Sequence, residues 1–423
     1  MNRLFVTGGT RLEGSVPISG AKNSALKLMA AAVLAEGRST IENVPDIQDC
    51  RTMAEVLEHL GAGVKWEDGT VEIDATALHS YETPYELVSR MRASIIVLGP
   101  LLARNGEARV AMPGGCNIGS REIDLHIRGL ERLGASFDYE HGYLKVGAPE
   151  LRGAIVSLDF PSVGATENIL MAAVAARGTT VVENAAREPE IVDLAEFLNE
   201  MGGRIGGAGT TTIEIDGVDS FSPARHRVIP DRVETGTLAI AACATGGDVL
   251  LRGARAEHLD LALEKLSDAG ANIAAEDDGL RIVAKARPQA VDFVTLPWPG
   301  FPTDLQPQMM ALLSTAEGTS IATENVFESR FMFVDELKRM GADIQTEGHH
   351  AVIRGTEQLS AAPVRALDIR AGAAMVIAAL GADGVTEISD MHHVDRGYEE
   401  LDTKLTALGA EVRRERELVP TPA

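Results

Sequence analysis

One cysteine in the stretch MPGGCNIGSREID, residues 112 to 124, stands directly after a glycine pair and five residues before Arg121. A glycine-rich polar loop offers the Cys116 thiol no core to fill, and a nearby cation favours its thiolate, so a reactive group is the better reading. Cys243, in AIAACATGG, and Cys50 keep the ordinary reading of a small apolar filler. The three are too few and too far apart for a disulfide framework or a C-x-x-C metal knuckle, which fits a reducing compartment.

Other chemistry-bearing residues fall where helices begin. Lys22 and Asn23 open the apolar run in SGAKNSALKLMAAAVLA, and Arg90 and Arg92 open RMRASIIVLGPLLA. A cation at a helix N-terminus gains nothing from the helix dipole, so it is placed there for something else. Asp231, Arg232, Asp304 and Arg370 stand at or near the starts of later helices, while Arg330 in ENVFESRF and Arg396 in HHVDRGY precede others. Plainer roles compete with a binding role: Lys22 as a solvated cation, Asn23 and Asp304 as helix caps. Brought together, these ends would make a basic pocket suited to a small substrate that carries carboxylate and phosphate groups. The chain has no G-x-x-x-x-G-K-[ST] and no G-x-S-x-G, and GGCNIG lacks the dinucleotide glycine spacing.

The elements that must position these groups repeat. A helix ending in a Gly-Ala-like turn, then an apolar strand, recurs as EHLGAGV, ERLGASF, NEMGGRI, SDAGANI, KRMGADI and TALGAEV. Their glycines, Gly61, Gly134, Gly202, Gly270, Gly341 and Gly409, are spaced by 73, 68, 68, 71 and 68 residues. A second series, Gly37, Gly106, Gly178, Gly247, Gly318 and Gly384, ends an Ala-rich helix and leads into a β-branched strand. Each module therefore reads helix, strand, loop, helix, strand, and GVKWEDGTVEIDA predicts a hairpin with Asp68-Gly69 at its tip. The fold class is α/β, with two domains of three modules each: residues 22–229, which carry the cysteine loop, and residues 1–21 with 230–423, which carry Asp304 and the C-terminal arginines. The opening strand LFVTGGTRLEGSVPI needs a sheet to join, and completing the last module would unite the two chain ends.

Composition narrows the function. A formal charge of -23 and 4% aromatic residues argue against nucleic acid as a partner. The longest apolar runs fall short of the roughly 20 residues that cross a bilayer, and MNRLFVTGGTRLEG lacks the form of a secretory signal, so a soluble cytosolic protein without membrane association is expected. The pairs His349-His350 and His392-His393 lack metal-ligand spacing, and no metal is expected.

Nine motifs in order, GAKN, MRAS, PGGCNIGSR with IDLH, SVGATEN, VIPDRVETGT, FPTDLQ, ENVFESRF, DIRAGA and DRGY, resemble the enolpyruvyl transferases, specifically those whose acceptor is UDP-N-acetylglucosamine. The resemblance spans all but the tail RRERELVPTPA. It implies an inside-out α/β barrel and transfer of the enolpyruvyl group of phosphoenolpyruvate to the sugar 3-hydroxyl, with release of phosphate and no cofactor. Cys116 then matches a general acid that can also add to phosphoenolpyruvate, and Asp304 a carboxylate beside the sugar hydroxyl. Lys22, Arg121, Arg370 and Arg396 match cations around phosphoenolpyruvate; Asn23, Arg92, Val326 and Arg330 match positions near the sugar nucleotide. Arg121, Glu122, Ile123, Asp124 and Leu125, with Ser162, Val163 and Gly164, resemble a uridine and diphosphate platform. Glu122 stands where family members commonly have proline, and Phe160-Pro161 where some carry lysine. Alkylation of Cys116 by fosfomycin is a further expectation of the resemblance. A shikimate-type acceptor, another UDP-sugar, or a non-catalytic scaffold are the alternatives; the shikimate enzyme does not use this loop cysteine.

Overall fold

The computed structural model describes residues 2–88, 91–111, 123–284, 287–327 and 329–416, the side chains of residues 92–94 excepted. Cys116, Arg121 and Glu122, and the side chain of Arg92, lie outside that set. Backbone contacts divide the chain into two compact units, one joining Met1–Ser19 to Pro230–Ala423 and the other running between Gly20 and Ile229. Each has its own apolar core.

Six four-stranded sheets are formed among the described residues, and strand exchange between modules explains how three of them make a closed unit. In the Gly20 to Ile229 unit, the exit strand of each module pairs in parallel with the first strand of the next. Glu82–Thr83 joins Glu107–Ala111, and Ile155–Ser157 joins Thr179–Glu183. The last exit strand, Arg225–Arg227, returns to Arg38–Glu42 of the first module, so no module is left with an open edge there.

The other unit closes by using the chain's beginning. Phe293–Thr295 pairs with Thr319–Glu324, and Val364–Arg365 with Val385–Ser389. Asn2–Thr7 then fills the centre of the sixth sheet, antiparallel to both Val385–Ser389 and Glu411–Arg416. Glu13–Pro17 goes on to pair in parallel with Asp248–Arg252 of the fourth module. The opening stretch is thus two strands serving two sheets.

The first helix of each module lies in the core, and its composition shows why. Lys22–Ala31 buries every residue but Asn23, and Ile369–Leu380 is buried throughout. A helix that is apolar on all sides must be surrounded by protein. The second helices are amphipathic: Gln48–Leu60 turns Met53, Val56, Leu57 and Leu60 inward. Strands alternate as half-buried strands do; Thr212–Asp216 buries Ile213 and Ile215 and exposes the residues between. Helices inside and sheets with one face outward are what an inside-out α/β arrangement requires.

All six glycines of the first series have φ between 93° and 106°, the left-handed turn that ends a helix and that only glycine adopts without strain. The second series behaves differently. Only Gly106 caps its core helix directly. Gly37, Gly178, Gly318 and Gly384 instead stand immediately before their strands, with φ between 96° and 110°. In the fourth module the left-handed residue is Gly246 at φ 63°, not Gly247. Gly247 serves close approach, since a Cβ there would meet the Leu12 carbonyl oxygen at 2.6 Å. The hairpin tip forms as expected, with Asp68 at φ 45° and Gly69 at φ 70°.

Candidate active site

In the unit that carries both chain ends, Asp304 lies between two buried arginines. It sits in the short turn Thr303–Leu305, ahead of the helix Gln306–Leu313, and its side chain stays 26% exposed. Oδ1 accepts a hydrogen bond from Arg330 Nη2 at 3.1 Å, and Oδ2 one from Arg370 Nη2 at 3.1 Å. Asp304 does not cap the following helix, which has no side-chain cap. Its oxygens are committed to the guanidiniums, and charge-assisted bonds of this kind fix orientation as well as adding energy.

Each arginine is held from behind. Arg370 is the second residue of Ile369–Leu380, a helix capped by Asp368, which accepts from the amides of Arg370 and Ala371. Burial alone would lower its pKa, but the charges of Asp304, Tyr398 and Asp231 outweigh that and hold it above its ordinary value. Tyr398, whose phenol is pushed up by burial, lies between Arg370 and a polar cluster. Thr237 Oγ1 donates to the Val233 carbonyl at 2.7 Å, so it accepts from the Tyr398 hydroxyl at 2.9 Å. Gln308 Nε2 donates to the same tyrosine oxygen at 3.1 Å. Arg330 is 3% exposed, yet its Nε and Nη1 have no hydrogen-bond partner among the described residues. Unsatisfied donors on a buried cation beside a partly open carboxylate suit an anionic or polar ligand.

Arg396 ends the turn Met391–Arg396 and is half-buried. Gly397 follows, where a Cβ would meet Ile369 Cγ2 at 2.5 Å. The missing side chain lets this turn close onto the start of the Arg370 helix. Val326 is half-buried, on the segment leading to Arg330. Asp231 caps the helix Arg232–Ala244, accepting from the amides of Val233 and Glu234.

In the other unit Lys22 is not solvated. It is 8% exposed, and its Nζ reaches Asp49 Oδ2 at 3.2 Å. Asn23 does not cap: the N-cap is Ala21, without a side-chain bond. Ser24 instead donates to Asp193, which also bonds His226 Nε2 at 2.8 Å, and His226 Nδ1 lies 3.0 Å from Glu200. Burial opposes the charge on His226, but the two carboxylates win and raise its pKa. Asp193, Glu196 and His226 also group within 4.8 Å, but both ring nitrogens of His226 already face carboxylate oxygens, Asp193 at 2.8 Å and Glu200 at 3.0 Å.

The described segments that the resemblance implies for uridine and diphosphate come together. Ile123 precedes the helix Asp124–Arg132, and Ser162 caps Val163–Ala173 by accepting from Ala165 N. His126, one turn below Ile123, links them: a Cβ on Gly164 would lie 3.2 Å from its Nε2. Asn168 Nδ2 holds His126 Nδ1 at 2.8 Å. Asp124 and Leu125 are half-buried at the helix start, with Asp124 3.4 Å from Arg128.

Sequence reasoning missed a second buried pair. Lys27 Nζ lies 3.5 Å from Glu167, a fully buried carboxyl pushed up to about 8 by burial. The signal was there: each charge stands inside a mostly apolar stretch of a core helix, SALKLMAAAVLA and GATENILMAA. An unfolded glutamate ionises near 4.5, so between 4.5 and about 8 the folded protein keeps a proton that the unfolded chain has lost. Stability therefore falls as pH rises through this window and levels off above it. Glu167→Gln, which cannot ionise, is expected to flatten that fall in urea unfolding followed across the window. A fall as steep as in the unchanged protein would mean that Glu167 is not its source.

Of the other cysteines, Cys50 and Cys243 are buried, and burial pushes the Cys243 thiol up to about 12. Neither has the exposure that thiolate chemistry needs. His349 Nδ1 lies 3.0 Å from the Glu324 carbonyl, His350 Nδ1 2.9 Å from Thr323 Oγ1, and the His392 and His393 ring centres lie 4.1 Å apart with their planes tilted by 37°. Among the described residues no helix is long and apolar enough to cross a membrane.

Residues 6–405 match the family of EPSP synthase (3-phosphoshikimate 1-carboxyvinyltransferase), and the chain belongs to that family. Within it, a UDP-N-acetylglucosamine 1-carboxyvinyltransferase from Corynebacterium jeikeium is 56% identical over 409 residues, 97% of this chain and 98% of that protein. A protein of the same name from Nocardia farcinica is 55% identical over 418 residues, again covering 97% and 98%. Among solved structures, the enolpyruvyl transferase NikO from Streptomyces tendae superposes with a TM-score of 0.88 at 27% identity, over 98% of this chain and 99% of that one. EPSP synthase from Acinetobacter baumannii, at 18% identity and a TM-score of 0.74 over 98% and 100%, shares the fold.

Proposed function

We propose that this chain transfers the enolpyruvyl group of phosphoenolpyruvate to the 3-hydroxyl of UDP-N-acetylglucosamine, releasing phosphate. The observation that carries the reading is near-full-length identity of 56% to a UDP-N-acetylglucosamine 1-carboxyvinyltransferase. The same reading makes the reaction the first committed step of peptidoglycan synthesis, carried out in the cytoplasm, and the protein a target of fosfomycin.

The chemistry is an addition followed by an elimination. The sugar oxygen bonds to C2 of phosphoenolpyruvate as the hydroxyl loses its proton and the methylene carbon gains one; phosphate then leaves and the new methyl group gives a proton back. An acid, a base and cations for the leaving group are required. Cys116 is assigned the acid, and Asp304 the base. Lys22, Arg121, Arg370 and Arg396 are assigned to the phosphate and carboxylate of phosphoenolpyruvate; Asn23, Arg92, Val326 and Arg330 to the sugar nucleotide. The stretch from Arg121 to Leu125 and Ser162 to Gly164 is assigned to uridine and diphosphate. The Arg330–Asp304–Arg370 arrangement supports these roles, because it holds one carboxylate between two cations and leaves buried donors unused.

Proton NMR of the product tests the reading. Vinyl protons on an ether linked to the sugar 3-position, formed only when both substrates are present, are expected; an unmodified sugar nucleotide would reject it.

A further inference from the structure

We infer that Glu324 is a positioning residue for this reaction, its buried carboxylate fastening the Asp304 turn to the segment that leads to Arg330. The inference rests on the assignment of Asp304 and Arg330 to the site.

Glu324 ends the strand Thr319–Glu324 and is 1% exposed. Its Oε1 accepts from Thr295 Oγ1 at 2.8 Å, Val326 N at 2.8 Å and Phe327 N at 3.0 Å. Oε2 accepts from Thr303 Oγ1 at 2.9 Å. Thr295, directly opposite Glu324 on the neighbouring strand, in turn accepts from Asn325 N at 3.0 Å. A carboxylate is the side chain that takes four donors and offers none, which is why no neutral residue of the same size fits as well.

The two arms leaving this carboxylate end on opposite partners of one bond. Thr303 is followed by Asp304; Val326 and Phe327 lead to Arg330, whose amide donates to the Phe327 carbonyl. Glu324 therefore fixes how Asp304 and Arg330 meet, at 3.1 Å, without bonding to either. Its place in ATENVFESRF reads as one more surface acid, and only the structure shows it as a buried junction.

Three variants test this. Thr303→Val removes one hydroxyl and leaves the other arm intact; it is expected to lower kcat about tenfold, with KM for phosphoenolpyruvate changed far less. Glu324→Ala frees both arms and is expected to cost about a hundredfold in kcat. Glu324→Gln is expected to recover most of that loss, because its amide oxygen can serve the three donors at Oε1 while the Thr303 hydroxyl turns to accept from the amide nitrogen. Should Glu324→Ala fail to fold, Thr303→Val decides. An unchanged kcat in Thr303→Val, in a parent enzyme that releases phosphate, overturns the inference. A parent that releases none defeats the functional reading instead, and the inference is then judged without activity, from a crystal structure of Thr303→Val. A lengthened Asp304–Arg330 bond there supports it; an unmoved one overturns it.

Discussion

Replacing Asp304 with asparagine is expected to lower kcat by about two to four orders of magnitude, the usual contribution of a positioned base. Both carboxylate oxygens accept from arginine Nη2 atoms, so in Asp304→Asn one of the two guanidiniums faces an amide NH2, donor against donor. The loss therefore combines a missing base with a disturbed cation. Asp304→Ala goes further and leaves the side chains of Arg330 and Arg370, 2% and 6% exposed, without their shared anion. Breaking a buried charge pair in this way costs about 3–5 kcal/mol, so the alanine variant is expected to be measurably less stable while the asparagine variant stays folded. Steady-state kinetics on Asp304→Asn, with circular dichroism as the folding control, makes the comparison. A kcat within tenfold of the parent would remove Asp304 from the base role.

Lys22→Met is expected to reduce kcat/KM for phosphoenolpyruvate by about two to three orders of magnitude, as loss of a charge that stabilises a departing anion does. The ammonium stands at the N-terminal end of a helix, where the dipole opposes a cation by about 0.3–1 kcal/mol, and it is kept there by Asp49. A lysine with no ligand to meet gains nothing from the dipole at that position. Methionine fills the volume of the stem, so the expected change falls on the charge. Isothermal titration with phosphoenolpyruvate alongside kinetics distinguishes weak binding from slow chemistry, and an unchanged kcat/KM would return Lys22 to a structural role.

Much of the architecture was legible because it is written in backbone constraints. The glycines from Gly61 to Gly409 recur since each helix must reverse through a left-handed residue, and all six do. The second series was read as helix caps, yet four of those glycines serve strand entry, because their core helices end earlier, in right-handed turns, and the reversal comes just before the strand. That difference depends on where tertiary packing stops a helix, which local sequence does not encode.

For the candidate site, sequence offers residue types but not geometry. Arg330 and Arg370 meet Asp304 across 26 and 66 residues, and no spacing rule connects them. The plainer alternative of helix caps at Asn23 and Asp304 is not realised: Ala21 takes the N-cap position in one helix, and the arginines take the carboxylate in the other. The clusters around His226 and Glu324 lie where a strand face turns inward, and the local sequence does not show which face that is. Cys116, the residue with the clearest chemical signal, stands on sequence and resemblance alone.

Phosphate release from phosphoenolpyruvate by the purified protein, measured with UDP-N-acetylglucosamine, with shikimate 3-phosphate and with neither, tests the central claim most directly. The account predicts release with the UDP-sugar only. Release with shikimate 3-phosphate only would keep the fold and contradict the acceptor, and no release with either would contradict the reaction itself.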